Sequence, residues 1–217
     1  MKLSSITVIT FLLLTVTGIT WAQNEEGRHL LHELSGPFIV YRTNIKEELK
    51  LSDSQKQKLL ANLPEYLKNT KEAFGKFQNL QGGEREKEMQ SYRQKNWDTF
   101  WPFLKTTLKA NQFKRFQQLE LQHEGPEALL GRPEIAKKLK ITNKQRDQFI
   151  GVIQDMQRKI EPMIMEAQSN GNPQDILPKV IKIRKGYDVK IEAVMSAAQK
   201  KQWNEMRGKL FDVFIDN

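Results

Sequence analysis

The sequence predicts an all-α protein: two repeated helical-hairpin units forming an extended, curved helical assembly. Three observations lead there. Apolar residues recur three and four apart, as in Phe149, Val152, Ile153, Met156, Ile160, Met163 and Ile164, with charged and amide side chains between them. That is the period of an amphipathic helix. A five-residue pattern that starts helices occurs four times. The chain is also 28% charged and 38% hydrophobic, with no convincing alternating run, which leaves little material for a sheet.

The first 22 of the 217 residues read as an address. Met1-Lys2 precedes an apolar and hydroxyl run centred on Phe11-Leu12-Leu13-Leu14. Thr20-Trp21-Ala22 then places small residues before the polar Gln23-Asn24-Glu25-Glu26. Charged start, apolar middle and small-residue end predict a cleaved secretory signal peptide. Seven Ser and Thr in the segment weaken the competing reading, an uncleaved anchor. The chain is thus expected in the periplasm or outside the cell.

Residues 23–47 read as an N-terminal helical arm, with a short apolar cluster at Phe38-Ile39-Val40-Tyr41. The first unit spans 48–124 and the second 138–217. Each is a long helix, a polar turn, a second long helix, a capping box and a shorter helix. The turns are Gln81-Gly82-Gly83 and Asn170-Gly171-Asn172-Pro173, both good breakers. A connector over 125–137 starts with Gly125-Pro126, and Gly131-Arg132-Pro133 opens a short helix over 134–139. Pro64, Pro102 and Pro162 are expected to kink or break long helices and so to curve the assembly.

The recurring box is an aliphatic residue, a small or polar residue, two variable residues and Gln. It reads Leu51-Ser52-Asp53-Ser54-Gln55, Leu108-Lys109-Ala110-Asn111-Gln112, Ile141-Thr142-Asn143-Lys144-Gln145 and Met195-Ser196-Ala197-Ala198-Gln199. A Ser or Thr N-cap accepts from the backbone N–H three residues on, and Gln reaches back to the N-cap N–H. Two helix-end donors are thereby satisfied. Lys109 stands where the hydroxyl belongs, so that cap should be the weakest. The boxes are spaced as a repeat: Gln55 to Gln145 is 90 residues and Gln112 to Gln199 is 87.

Charge and composition narrow the chemistry. Lys and Arg total 35 against 26 Asp and Glu, a formal charge of +9, of which the leader's Lys2 is one. There is no Cys and only three His, which excludes disulfides, thiol catalysis and Cys-ligated metals. A basic exported chain meets anionic membrane surfaces or other exported proteins rather than nucleic acid.

Repeated boxes of the Leu-Thr-x-x-Gln type, in a basic, cysteine-free, exported, helical chain, resemble the Spy/CpxP-like periplasmic group named for that motif. The stretch from Leu119-Glu120-Leu121-Gln122 to Pro133-Glu134-Ile135-Ala136 is similar to its longer, two-copy relatives. The resemblance implies a thin, curved cradle, often made by two chains, that holds unfolded or aggregating clients without ATP. Some relatives act in envelope-stress or metal-stress responses instead. Two covalent units in one chain suggest a monomer that mimics the dimer, with a homodimer as the other arrangement.

The search for chemistry yields little beside this. His29 and His32 sit three apart, on one face of a helix, and are the weak candidates for a metal site; the order is not His-Glu-x-x-His. No phosphate loop, nucleophile elbow or carboxylate pair suggests catalysis, and no cofactor is implied. Trp97, Trp101, Phe113 and Phe116, with Arg115 between, read as core or as a partly exposed client-binding surface. Lys182, Arg184 and Lys185 interleave cations with apolar residues, suiting a surface that attracts clients by charge and holds them by apolar contact. The leading expectation is a non-enzymatic holdase or envelope-stress protein for unfolded or misfolded exported proteins, with weak contact to anionic membranes. The alternatives are a metal-responsive regulator using the His29/His32 pair, or a structural envelope component.

Overall fold

The computed structural model describes residues 36–78, 80, 82–170 and 176–214. The segment 1–22 read as a signal peptide and the His29/His32 pair lie outside them. Among the described residues the chain is all-α, with no strand. A 3-10 turn, Gly36–Tyr41, is followed by α1 (Thr43–Glu48), α2 (Asp53–Gln78), α3 (Gly82–Thr107) and α4 (Ala110–Glu124). A short 3-10 turn, Gly125–Glu127, leads through α5 (Ala128–Gly131) to α6 (Pro133–Lys138). Then come α7 (Asn143–Asn170), α8 (Leu177–Val194) and α9 (Ala197–Arg207). No described helix is long and apolar enough to cross a membrane.

Local chemistry explains where the helices begin. α1 ends with Lys50 at φ +50°, where the Lys50 N–H reaches Glu47 O at 2.9 Å and the Leu51 N–H reaches Lys46 O at 3.1 Å. α6 ends the same way: Lys140 is at φ +51°, its N–H meets Lys137 O at 3.1 Å, and the Ile141 N–H meets Ala136 O at 2.9 Å. These paired bonds close the helix end, with lysine where glycine is usual. Two residues later Ser52 and Thr142 start α2 and α7: their hydroxyls accept the N–H of Gln55 at 3.3 Å and of Gln145 at 3.2 Å.

Of the kinks or breaks expected at Pro64, Pro102 and Pro162, no break occurs: α2, α3 and α7 run on through them. Each ring stands exposed, and the turns on either side are held by packing, which offsets the lost N–H bond.

Packing divides into three apolar groups. The first gathers Phe38, Ile39, Tyr41 and Ile45 with Leu59 and Tyr66 of α2, Phe100, Trp101 and Leu104 of α3, and Phe116 and Leu119 of α4. Its rings are close: Phe38 stacks on Tyr66 at 3.6 Å between centroids and lies 4.7 Å from Phe100. The described part of the stretch read as an arm, 36–47, is thus a plug in this core, with Ile39 and Val40 completely buried. The second group joins Leu121 of α4 and Leu129 to Leu139, Phe149, Ile153, Ile191, Met195 and Trp203. A third, of Met156, Ile160, Ile176, Val180 and Tyr187, lines the seam between α7 and α8. α4 serves the first two groups with different residues and so ties them together.

The tail after α9 returns to the first group. Gly208 turns it at φ +65°, so close to Gln118 that a Cβ would lie 2.4 Å from that side chain. Beyond the turn, Gln122 fastens the tail: its amide donates to Arg207 O at 2.7 Å and Lys209 O at 2.9 Å, and its oxygen accepts the Phe211 N–H at 2.9 Å. Arg42 donates to Val213 O at 2.6 Å, and Val213 is buried among the residues of the first group.

Candidate functional site

The four glutamines of the repeated box meet in two pairs. Gln55 and Gln112 each occupy the third position of a helix, and each carboxamide oxygen accepts its own N-cap N–H, from Ser52 at 3.0 Å and from Lys109 at 2.9 Å. The amides then bond each other in both directions, Gln55 Nε2 to Gln112 Oε1 at 2.7 Å and Gln112 Nε2 to Gln55 Oε1 at 3.3 Å. Their remaining protons go to carbonyls at the ends of preceding segments: Gln55 to Thr107 O at 2.9 Å, and Gln112 to Leu49 O and Lys50 O at 3.0 and 3.2 Å. Both side chains are buried, with each amide's donors and acceptor used, as burial demands.

Gln145 and Gln199 repeat the arrangement. Their oxygens accept the Thr142 and Ser196 N–H groups at 3.1 and 2.9 Å, and their amides bond each other at 2.8 and 3.1 Å. Gln145 also donates to Val194 O at 3.1 Å, and Gln199 to Leu139 O at 3.0 Å and Lys140 O at 3.4 Å. This pair is more accessible to solvent than the first. The Ser196 hydroxyl accepts the Gln199 N–H at 3.3 Å, whereas Lys109 supplies no side-chain acceptor, as its ammonium requires.

The aliphatic residues that open the boxes anchor each clamp to a core. Leu51 and Leu108 are buried in the first apolar group and Met195 in the second, with Ile141 packed on its edge. Sequence reasoning recognised the boxes as caps but missed the pairing across helices. The signal was available: all four end in Gln, although Glu also completes a capping box. Only Gln can both donate and accept.

A second arrangement lies between the clamps, where the C-terminal half of α4 meets α8 and the connector. Arg132 bridges Glu120 and Glu124. Arg184 reaches Glu127 Oε1 and the Glu124 carbonyl, both at 3.3 Å, and Arg207 reaches Glu192 at 2.7 Å. Burial pushes the Glu120 carboxyl up from its ordinary value, against the attraction of Arg132. Glu124 is pushed up to about 7 by burial, again against Arg132, with Glu120 and Glu127 adding repulsion. Asp188 is pushed up to about 6, by burial first and then by Glu127. His123, enclosed beside Phe214 at 5.2 Å between rings, is held well below its usual value by burial, then by Arg42 and Arg184. Gly125, at φ +70°, lets the chain pass here: a Cβ would lie 3.3 Å from a Glu127 oxygen. No group of three or more His, Asp or Glu among the described residues is arranged to hold a metal ion.

The other predicted residues do not form one surface. Phe116 and Trp101 are buried in the first core and Phe113 packs on it, while Trp97 stays 38% exposed with the Arg132 guanidinium 5.2 Å over its ring. Arg115 pairs with Glu48 at 2.7 Å. Lys182 is exposed, Arg184 is buried in the junction, and Lys185 pairs with Asp212 at 3.2 Å. Compared with protein-family models, with curated proteins and with solved structures, the chain finds no match.

Proposed function

We propose that this chain is an exported, non-enzymatic, ATP-independent holdase, related to the Spy/CpxP-like group, that binds unfolded or misfolded exported proteins. The observation that carries the reading is the convergence of all four motif boxes into two matched glutamine clamps. The motif that gives the chain its resemblance is then a joint in the helical frame, and binding falls to the faces that the joint presents. Those faces combine lysines with isolated exposed apolar side chains, Leu60 on α2 and Val189, 68% exposed, on α8. Such a surface attracts a flexible polypeptide by charge and retains it by scattered apolar contact, without a pocket selecting one sequence.

The test is suppression of aggregation. The chain from Gln23 is mixed, without nucleotide, with a client protein that aggregates on reduction or heating, and light scattering is followed. The reading expects suppression near equimolar ratio and faster client capture at low salt, where exposed charges act over a longer range. Unchanged scattering at several-fold excess would retire it.

A further inference from the structure

The second clamp gathers a basic end that the first clamp does not match. By bonding Gln145 to Gln199, and Gln199 to the Leu139 and Lys140 carbonyls, it holds residues 137–146 against the start of α9. Lys137 and Lys138 close α6, Lys140 occupies the turn, Lys144 and Arg146 open α7, and Lys200 and Lys201 lie in the first turns of α9. Six of these seven cations are exposed and Lys200 is half-buried. The exposed acids in the same segments are Glu134, Asp147 and Glu205, and the ion pairs of the described residues include none of the seven cations. Around the first clamp the exposed lysines outside the ion pairs are four, Lys50, Lys58, Lys109 and Lys114, while Arg115 is paired with Glu48 and Lys56 with Asp53.

We infer that this end docks on an anionic lipid surface. The cations spring from three helix ends and the turn between them, which the clamp holds together, so they cover the end face and do not run as a row along one helix. A plane of phosphate headgroups can meet such a face with many stems at once, whereas one extended acidic chain meets a row. Each lysine or arginine near an anionic bilayer adds attraction, and the effect fades within a Debye length. The inference goes beyond client binding and is tested without a client.

The experiment is cosedimentation with vesicles. The chain from Gln23 is used so that the apolar leader contributes nothing; every contact described above lies downstream of that leader. Binding is expected to vesicles with about 30% phosphatidylglycerol in phosphatidylcholine, not to phosphatidylcholine alone, and to disappear near 0.5 M salt. Lys137→Glu with Lys138→Glu, or Lys200→Glu with Lys201→Glu, should weaken it by about tenfold or more. Lys58→Glu with Lys114→Glu, the same charge change near the first clamp, should leave it within about twofold. Equal losses in all three variants would reduce the effect to net charge and overturn the inference. So would equal binding to neutral vesicles, or full competition by polyglutamate at matched charge, which would assign the face to an acidic polypeptide. Aggregation suppression that survives in the variants separates this surface from the client-binding reading.

Discussion

Gln55 and Gln112 hydrogen-bond to each other in both directions, at 2.7 and 3.3 Å, while each also caps its own helix. The amides therefore join four chain ends: the starts of α2 and α4, and the segments that close α1 and α3. Replacing Gln112 by Glu removes both donors and sets a carboxylate against the Gln55 oxygen and the Leu49 and Lys50 carbonyls. The expected loss is about 2–4 kcal/mol by chemical denaturation. Gln199→Glu, in the more accessible clamp, should cost about half as much, since water can take up the orphaned groups. Equal and small losses at both sites would mean that the clamps bear little of the fold.

Glycine 208 carries the return of the tail, at φ +65° and ψ −156°. That region is nearly closed to residues with a Cβ, so Gly208→Ala should destabilise the protein by about 1–3 kcal/mol. The displaced tail should then be cut earlier in limited proteolysis, after Lys209. Gly151 offers the contrast: it lies inside α7, with nothing within 4 Å of a Cβ. Gly151→Ala should stabilise by about 0.5–1 kcal/mol.

The left-handed lysines make a third test. Lys50 and Lys140, at φ +50° and +51°, hold a conformation that favours glycine. Lys140→Gly should raise stability by up to about 1 kcal/mol, the relieved strain exceeding the added freedom of the unfolded chain. A fall in melting temperature would show that the lysine side chain contributes more than its backbone costs.

The junction implies a pH dependence of stability. Glu124, pushed up to about 7 from 4.5, and Asp188, to about 6 from 3.8, bind their protons more tightly in the folded state. Their contribution is fully present below the unfolded values and is lost as pH rises through about 6 to 7. His123 has the opposite sign: its pKa is depressed on folding from 6.5, so its contribution is present above that value and lost as pH falls below it. Two carboxyls falling against one imidazole rising leave stability, and with it melting temperature, declining as pH rises from about 4 to about 7, by about 2 kcal/mol in all. Glu124→Gln with Asp188→Asn should remove that decline and leave the rise due to His123, and His123→Gln should steepen it. A decline unchanged in the double variant would assign it to other groups.

Much of the fold was legible because helices are written in short-range terms. Phe149, Ile153, Met156 and Ile160 of the stripe are buried as its spacing requires, and Ser52, Thr142 and Ser196 cap helices where their boxes place them. The helix expected over 134–139 is found as Pro133–Lys138. The long-range features were not legible. The cluster Phe38-Ile39-Val40-Tyr41 reads as a fragment in an arm, yet it fills the first core. The tail through Val213 reads as the end of the second unit, yet Val213 is buried in the first core and its carbonyl is held by Arg42.

By itself, then, the sequence determined the helical class, the points where helices start and stop, and the faces that turn inward, since each depends on residues three or four positions apart. Tertiary structure alone decided which glutamine meets which, which charges are enclosed between α4 and α8, and where the tail lies. The paired glutamines stand 54 and 57 residues apart in the chain, and Arg42 and Val213 171. Their pairing depends on how large apolar groups pack into one volume, and no periodicity along the chain encodes that.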